Sequence, residues 1–288
     1  MANLKEIRNR IASVGSTMQI TSAMKMVSAA KLKKAQDAIT AMRPYADKLT
    51  ELLQNLSATL DGDSGSVFAD QREVNKVLAV AITSNRGLAG AFNSNIVKDT
   101  KTMVSETYAN QQVDFVTIGK KGNDLISKSE NVVYNNNEIF DDLTFEASAE
   151  IAEKLMDLFA DGSYDKIVLV YNKFKNAATQ IVMNEQFLPI EATQEGAVSD
   201  SNVDYIFEPS KVKIVEELIP KSLKTQLFKA IRDSVASEHG ARMTAMHKAT
   251  DNATELRDAL KLQYNKARQA AITNEILEIV GGAEALAG

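Results

Sequence analysis

The segment LKEIRNRIASVGSTM, residues 4–18, decides what fold the chain can adopt. Its apolar residues recur in alternating steps of three and four, at Leu4, Ile7, Ile11, Val14 and Met18. Such steps place about one apolar side chain per turn on a narrow stripe, which is typical of a helix that packs against a second helix in a coiled coil. We therefore predict a long amino-terminal helix that needs a helical partner.

The stripe is expected to break and then to resume. Polar residues occupy its next positions, at Thr21, Lys25 and Ser28. The apolar side chains of this stretch move to a neighbouring face, at Ile20, Met24 and Val27. The pattern then resumes at Leu32, Ala35, Ile39, Met42, Ala46, Leu49, Leu53, Leu56 and Leu60. Pro44 lies inside it and lacks a backbone donor, so we expect a bend there or a helix end near Arg43.

The carboxyl-terminal part of the chain has a matching pattern. Pro220 suits a first helical turn, and from there to Val280 the sequence contains one glycine, Gly240, and no further proline. Its apolar residues are Leu223, Leu227, Ile231 and Val235, followed by Met246, Ala249, Ala253, Leu256, Leu260, Ala267 and Ala270. The two terminal helices, in segments 1–66 and 209–288, can bury their stripes against each other as an antiparallel two-helix coiled coil.

The middle of the chain, 67–208, follows a different pattern. Short, β-branched apolar runs at 77–82, 113–118 and 167–171 read as buried parallel strands, and 179–190 as an edge strand. Amphipathic helical stretches separate them, at 93–109 and 145–159. This alternation predicts a Rossmann-like α/β domain mounted on the coiled coil.

Composition excludes several classes of site. The chain has no cysteine, which excludes a disulfide framework, a thiolate zinc site and a cysteine nucleophile. Its two histidines are too few for most metal sites built from histidine. Its longest apolar run is about six residues, far short of the roughly 20 that cross a bilayer. The net charge is −5, yet residues 1–48 carry nine basic against three acidic residues. Such a basic arm fits nucleic acid, an anionic membrane surface, an acidic protein partner or simply a solvated helix face.

No catalytic motif stands out. The loop SNRGLAGAFN (84–93) follows a strand but lacks the glycine spacing of a phosphate loop, so we predict a structural turn with Asn93 or Ser94 as helix cap. IGKKGND (118–124) reads as an ordinary turn. His239 and His247 read as exposed residues of a long helix, and KLKK (31–34) lacks the aromatics of a nucleic-acid binder. A non-catalytic coupling element is favoured over the alternative, a free-standing nucleotide-binding α/β protein that dimerises through its helices.

The segment YNKARQAAITNEILEIVGGAEAL, residues 264–286, resembles the signature of the F-type ATP synthase gamma subunit family. The family pattern falls on Ile272, Thr273, Glu275, Glu278, Gly282 and Ala283. Further matching segments are KEIRNRIASV, ITSAMKMVSAAKLKKAQ, SNRGLAGAFN, IGKKG, YIFEPS and EHGARMTAMHKATDNA. The resemblance covers essentially the whole chain in order.

This resemblance implies a central rotor shaft that couples ion flow through a membrane ring to ATP synthesis or hydrolysis on the beta subunits. The chain would be non-catalytic and would bind no metal, cofactor or nucleic acid. Its implied partners are the alpha and beta subunits, the epsilon subunit and the ring of c subunits. It would lie at the cytoplasmic face of a bacterial membrane, attached through the complex without inserting into the bilayer.

The resemblance also implies a set of contact residues. Similar proteins contact acidic loops of the beta subunit, and the corresponding positions here are Lys25, Lys31, Arg242, Arg268 and Gln269. Thr273 and Glu275 are expected to pair with the amino-terminal helix near Met24. Tyr205, in YIFEPS, resembles the part of the family that stands near the membrane ring.

Overall fold

Two helices are far longer than the other elements of the chain. The structure, a computed structural model, describes residues 4–57, 67–190 and 211–287. Helix α1 runs over Leu4–Ser57 and helix α5 over Lys211–Ala287, 54 and 77 residues respectively. Between them lie β1 (Lys76–Ile82), α2 (Phe92–Thr107), β2 (Gln112–Ile118), α3 (Lys120–Ile126), β3 (Val132–Asn136), α4 (Phe145–Ala160), β4 (Lys166–Phe174) and β5 (Gln180–Leu188), with single 3₁₀ turns at Val67–Ala69 and Glu138–Phe140.

The strands form one five-stranded sheet in the order β3-β2-β1-β4-β5. β1, β2, β3 and β4 are parallel to one another, and β5 pairs antiparallel with β4 at the edge. Alternate residues of β1 enter two separate apolar cores. Leu78, Val80 and Ile82 pack with α4 and α5, while Val77 and Ala79 pack with α2. The predicted Rossmann-like α/β fold is therefore confirmed.

The sequence missed two short elements, α3 and β3. β3 is five residues long and alternates half-buried with exposed positions, as an edge strand does, so it has no continuous apolar run. α3 spans seven residues and includes only two buried positions, Gly122 and Ile126. Neither element is long enough to produce a periodic apolar signal.

Residues 4–28 and 243–287 form one compact unit, in which the two long helices pack antiparallel. Arg8 donates from Nη2 to the Tyr264 hydroxyl at 2.9 Å. Arg257 approaches the Met18 sulfur at 3.4 Å, and the hydroxyls of Thr21 and Thr250 bond to each other at 2.8 Å. As the residue numbers of these contacts increase along α1, those of their partners on α5 decrease, so the predicted antiparallel pairing is confirmed.

The predicted break in the α1 stripe is wrong. Thr21 and Ser28 are buried in the stripe, whereas Ile20 and Val27 are exposed. The Thr21 hydroxyl can be buried because it bonds both to Thr250 and to the backbone oxygen of Met18. A small side chain whose polar atom is satisfied costs little to bury and lets two helices approach closely.

One position of the α5 stripe was also assigned wrongly. Leu256 is 52% exposed, and the neighbouring Arg257 is half-buried in its place. The stripe advances from Ala253 through Arg257 to Leu260, which keeps the steps of three and four. An arginine can hold such a position because its aliphatic stem covers apolar surface while the guanidinium stays near the rim.

Residues 29–242 form the second unit, which contains the sheet and the remaining parts of both long helices. The resumed α1 stripe is confirmed where its side chains are described, at Leu32, Ala35, Ile39, Ala46 and Leu49, and the predicted α5 stripe at Leu223, Leu227 and Ile231. The part of the prediction at Leu53, Leu56 and Leu60 lies outside the described side chains.

Neither long helix ends at its proline. α1 continues through Pro44, so a helix end near Arg43 is excluded. The placement of Pro220 in a first turn is wrong, because α5 already begins at Lys211. An interior proline removes one backbone hydrogen bond. The burial of Ile219 and Leu223 on either side of Pro220 offsets this loss.

Gly119 is the glycine whose replacement the fold tolerates least. It has φ of +110°, and a Cβ there would collide with the backbone carbonyl of Thr83. We expect Gly119→Ala to lower the free energy of unfolding by about 3 kcal/mol, because the left-handed backbone and the clash add together. Thermal unfolding of the purified full-length chain measures this loss.

Gly15→Ala is the matched control for that substitution. Gly15 lies in α1, and nothing lies within 4 Å of the added methyl group. Alanine favours a helix over glycine by up to about 1 kcal/mol, so this variant should unfold at the parental temperature or above it. Equal melting temperatures for the two variants would contradict the assignment.

Candidate functional site

The loop after β1, where a nucleotide phosphate would bind in a Rossmann fold, is filled by the chain's own groups. Arg242 of α5 donates to the backbone oxygens of Arg86 at 3.1 Å and Gly87 at 3.3 Å. The side-chain oxygen of Asn93 accepts from the backbone N–H of Ser84 at 2.9 Å. Asn93 therefore fastens the loop, and neither it nor Ser94 is the helix cap, because Ala91 precedes the first residue of α2.

The second candidate phosphate site, at the start of α3, is filled as well. The N–H groups of Lys120, Lys121 and Gly122 donate to the Asn85 side chain, the Ser84 carbonyl and the Thr83 hydroxyl, at 3.0, 3.0 and 2.8 Å. These donors hold α3 to the β1 loop. The prediction of an ordinary turn at 118–124 is wrong, because only Gly119 separates the end of β2 from helix α3.

Arg242 is the centre of a buried polar cluster on α5. Its side chain is largely buried and donates from Nη1 to Glu238 at 2.6 Å. Burial raises the pKa of Glu238, although the positive charge of Arg242 acts in the opposite direction. Because the guanidinium bonds to three groups of its own chain, Arg242 braces the β1–α2 loop against α5.

His239 belongs to the same cluster, and its prediction as an exposed residue is wrong. Its ring is half-buried, and Nδ1 is buried without a hydrogen-bond partner among the described residues. Burial lowers the pKa of His239 to about 4, and the charges of Arg242 and Lys31 act in the same direction. Its position beside a helix glycine, Gly240, gave no signal of this burial in the sequence. His247 is exposed, as predicted, and lies 3.3 Å from Asp251.

The carboxyl-terminal turns of α5 extend past the beginning of α1. Arg8 pairs with Tyr264, so Leu4, one turn earlier on α1, lies about level with Arg268. Beyond Arg268, roughly 28 Å of α5 has no described α1 residue beside it. This segment, residues 269–287, is the tip of α5. Its exposed large apolar side chains are Ile272, Ile276, Leu277, Ile279 and Val280.

The contact residues implied by the resemblance do not form one cluster. Met24 and Lys25 are half-buried on α1, and Lys31 is exposed in the other unit. Arg268 and Gln269 are exposed where the tip begins. Tyr205 lies outside the described residues. The roles of these residues and of Arg242 as partner contacts stay predictions.

The expected pairing of Thr273 and Glu275 with Met24 is wrong. Thr21 lies opposite Thr250, and Thr273 is more than six helical turns farther along α5. Both Thr273 and Glu275 are exposed on the tip, and the Thr273 hydroxyl donates to the backbone oxygen of Gln269 at 3.0 Å. The partner contacts of both residues stay predictions, and their contact with Met24 is excluded.

The sequence comparisons identify the family. A family model described as ATP synthase matches residues 3–286. The ATP synthase gamma chain of Flavobacterium psychrophilum is 72% identical over the full length of both chains, and that of Flavobacterium johnsoniae is 73% identical over the same extent. The chain belongs to the ATP synthase gamma chain family. The predicted family, the predicted function and the prediction of a non-catalytic subunit are therefore confirmed.

Solved structures share this fold at low sequence identity. A chain of the Euglena gracilis mitochondrial ATP synthase, in a structure of OSCP, F1 and c-ring, matches with a TM-score of 0.70 at 22% identity and covers 98% of this chain and 94% of its own. A chain of the Tetrahymena thermophila enzyme, in a structure of its central stalk and c-ring, gives 0.61 at 24%, covering 80% and 99%. In the parts of the chain that the structure describes, no helix could span a membrane.

The buried His239 predicts a loss of stability in mild acid. Its folded pKa is about 4 and the ordinary value is 6.5, so the stability that depends on a neutral ring is complete above pH 6.5 and falls as the pH drops toward 4. Between pH 7 and pH 5 this loss amounts to about 2 kcal/mol. His239→Gln should remove that part of the loss, measured by denaturant unfolding at both pH values.

His247→Gln, on the exposed face of the same helix, is the control. It should retain the full difference between pH 7 and pH 5. If His239→Gln loses as much stability in acid as the parental chain, the neutral buried ring is not the cause.

Proposed function

We propose that the paired helices of residues 4–28 and 243–287 form the axle that turns inside the ring of alpha and beta subunits. The observation that carries this proposal is the apolar tip of α5. A helix end that exposes several large aliphatic side chains in water is unfavourable unless a partner covers it. A ring of subunits closed around the tip would cover these apolar side chains.

The apolar residues of the tip occupy a different helix face from the stripe that packs on α1. That stripe runs through Ala253, Arg257, Leu260 and Tyr264, and the same steps would continue it at Ala271, Asn274 and Glu278. The aliphatic side chains instead lie one residue beyond these positions at Ile272 and Ile279, and two residues beyond at Ile276. One residue corresponds to a rotation of about 100° around the helix axis. The tip's apolar stripe therefore suits a surface other than α1.

Charge supports the same arrangement. The proposed contacts with acidic loops of the beta subunits are the exposed or half-buried residues Lys25, Lys31, Arg268 and Gln269. Met24 on α1 and Thr273 and Glu275 on the tip are further proposed contacts. Arg242 is already bonded to its own chain, so it would act by holding the β1–α2 loop in place. Exposed charges of this kind guide docking and select among conformations of a partner more than they add affinity.

We propose three functional segments, residues 1–66 and 209–288 for the coiled coil and 67–208 for the domain. The domain segment, which includes Tyr205, would stand on the ring of c subunits together with the epsilon subunit. The chain would then be held at the cytoplasmic face of the cell membrane by the complex, and proton flow through the ring would turn the axle and change the conformation of each catalytic beta subunit in turn.

Reconstitution with the alpha and beta subunits tests this function. ATP turnover should be absent for the chain alone, and the chain should convert alpha and beta into a complex with cooperative turnover. Turnover or tight nucleotide binding by the isolated chain, with no effect on alpha and beta, would instead favour the nucleotide-binding alternative.

Ile276→Glu tests the apolar tip directly. Burying an isoleucine side chain contributes about 1.5–3 kcal/mol, so a charge in its place should weaken binding to the alpha–beta ring by about tenfold or more. Binding can be measured by titrating the labelled chain into the assembled ring.

Asn274→Glu is the matched control on the opposite face, two residues or about 200° from Ile276. It introduces the same charge within the same turn of exposed helix, so its binding should stay within about threefold of the parental value, as exposed single charges have small effects. Equal weakening by both variants would mean that charge alone is responsible and that the apolar stripe does not dock.

A further inference from the structure

Three hydrogen bonds form a closed triangle between α1, α5 and the end of β4. Arg43 of α1 donates from Nη2 to the Asp233 carboxylate of α5 and to the backbone oxygen of Phe174, each at 2.9 Å. The backbone N–H of Phe174 donates to the same oxygen of Asp233 at 3.3 Å. All three residues belong to one compact unit, so their relative placement is fixed within it.

The triangle is more deeply buried at Asp233 than at Arg43. The Asp233 side chain is fully buried, while that of Arg43 is about one-third exposed. The second oxygen of Asp233 has no partner among the described residues, so the bonding of this carboxylate runs through Oδ1 alone. A buried carboxylate bonded in this way is costly unless its cation stays in place, which restricts Arg43 to one position relative to α5.

Directional bonds and apolar contacts resist motion differently. The neighbouring α1 positions Ile39 and Leu49 are buried by apolar packing, which is non-directional and permits sliding or rotation of a helix about its axis. Hydrogen bonds weaken steeply when their angle changes. α5 is held to the sheet at further points, including the bond from the Ser237 hydroxyl to the backbone oxygen of Asn172 at 2.9 Å. For α1, the bonds of Arg43 supply a directional tie to β4.

We propose that the triangle of Arg43, Asp233 and Phe174 is the joint that transmits torque between the α/β domain and helix α1. The inference rests on the proposed axle function. Arg43 is a positioning residue, since it touches no substrate. Without its bonds, α1 would keep its apolar contacts but could rotate against the sheet under load, and part of each turn would be lost as slip.

The decisive variant removes the tie without leaving a buried charge. In Arg43→Met/Asp233→Asn, the amide oxygen of the new asparagine still accepts from the Phe174 N–H, while α1 loses both of its bonds. Asp233→Asn alone is the matched control, because its amide oxygen can accept from both Arg43 and Phe174. Lys33→Met, in an exposed ion pair of the same helix, controls for loss of a positive charge.

The experiment uses the complete ATP synthase in sealed vesicles. ATP turnover and the largest ion gradient that the enzyme sustains are measured together for each variant. The double variant should hydrolyse ATP at the parental rate without a gradient and should lose part of the maximal gradient. Both controls should reach the parental gradient, and Arg43→Lys, which can still donate to an acceptor of the triangle, should retain more of it than the double variant.

A purely structural role would change the melting temperature and leave the ratio of gradient to turnover unaltered, so a double variant with the parental ratio overturns the joint. If that variant does not assemble, Arg43→Gln/Asp233→Asn replaces it, because a glutamine is polar yet too short to reach both acceptors. Failure of the parental chain to support any gradient would refute the axle function itself.

Discussion

The packing of residues 4–28 against 243–268 is the constraint on which the rest of the account depends. It fixes an antiparallel register through Arg8 with Tyr264 and Thr21 with Thr250. That register decides which part of α5 has α1 beside it and which part extends as a single helix. The exposed apolar tip is therefore a direct consequence of the register.

The sequence predicted this arrangement where hydrophobic periodicity was unbroken. The α1 stripe at Ile7 and the buried strand at 77–82 lie where their patterns placed them. The errors came from equating burial with hydropathy. Thr21 is buried because its hydroxyl finds partners across the seam, and Arg257 replaces Leu256 because a long aliphatic stem packs as well as a leucine side chain.

The polar contacts could not be predicted from the sequence, because they join residues far apart in the chain. Asp233 and Arg43 are separated by 190 positions, and neither belongs to a motif. Arg242 matched a family segment, yet nothing in that segment indicated that its guanidinium would be bonded to the β1–α2 loop. The register of the two helices also excludes the pairing of Thr273 with Met24, which the family resemblance had suggested.

Apolar packing and directional polar contacts thus have different roles in this fold. Non-directional apolar packing covers the stripes of both long helices, and the apolar side chains of the tip stay exposed to a surrounding partner. Directional polar contacts at Arg43 and Arg242 tie those helices to the sheet and its loops. A subunit that turns inside others needs both, because it must slide against its partners and remain rigid within itself.

Direct observation of rotation is the measurement that tests the axle most sharply. The chain has no cysteine, so Lys128→Cys, at an exposed position of the α/β domain, gives a single attachment point for a bead. With the alpha–beta ring immobilised and ATP supplied, the account predicts stepwise rotation of the bead in one direction. Sustained ATP hydrolysis with a stationary bead would contradict it.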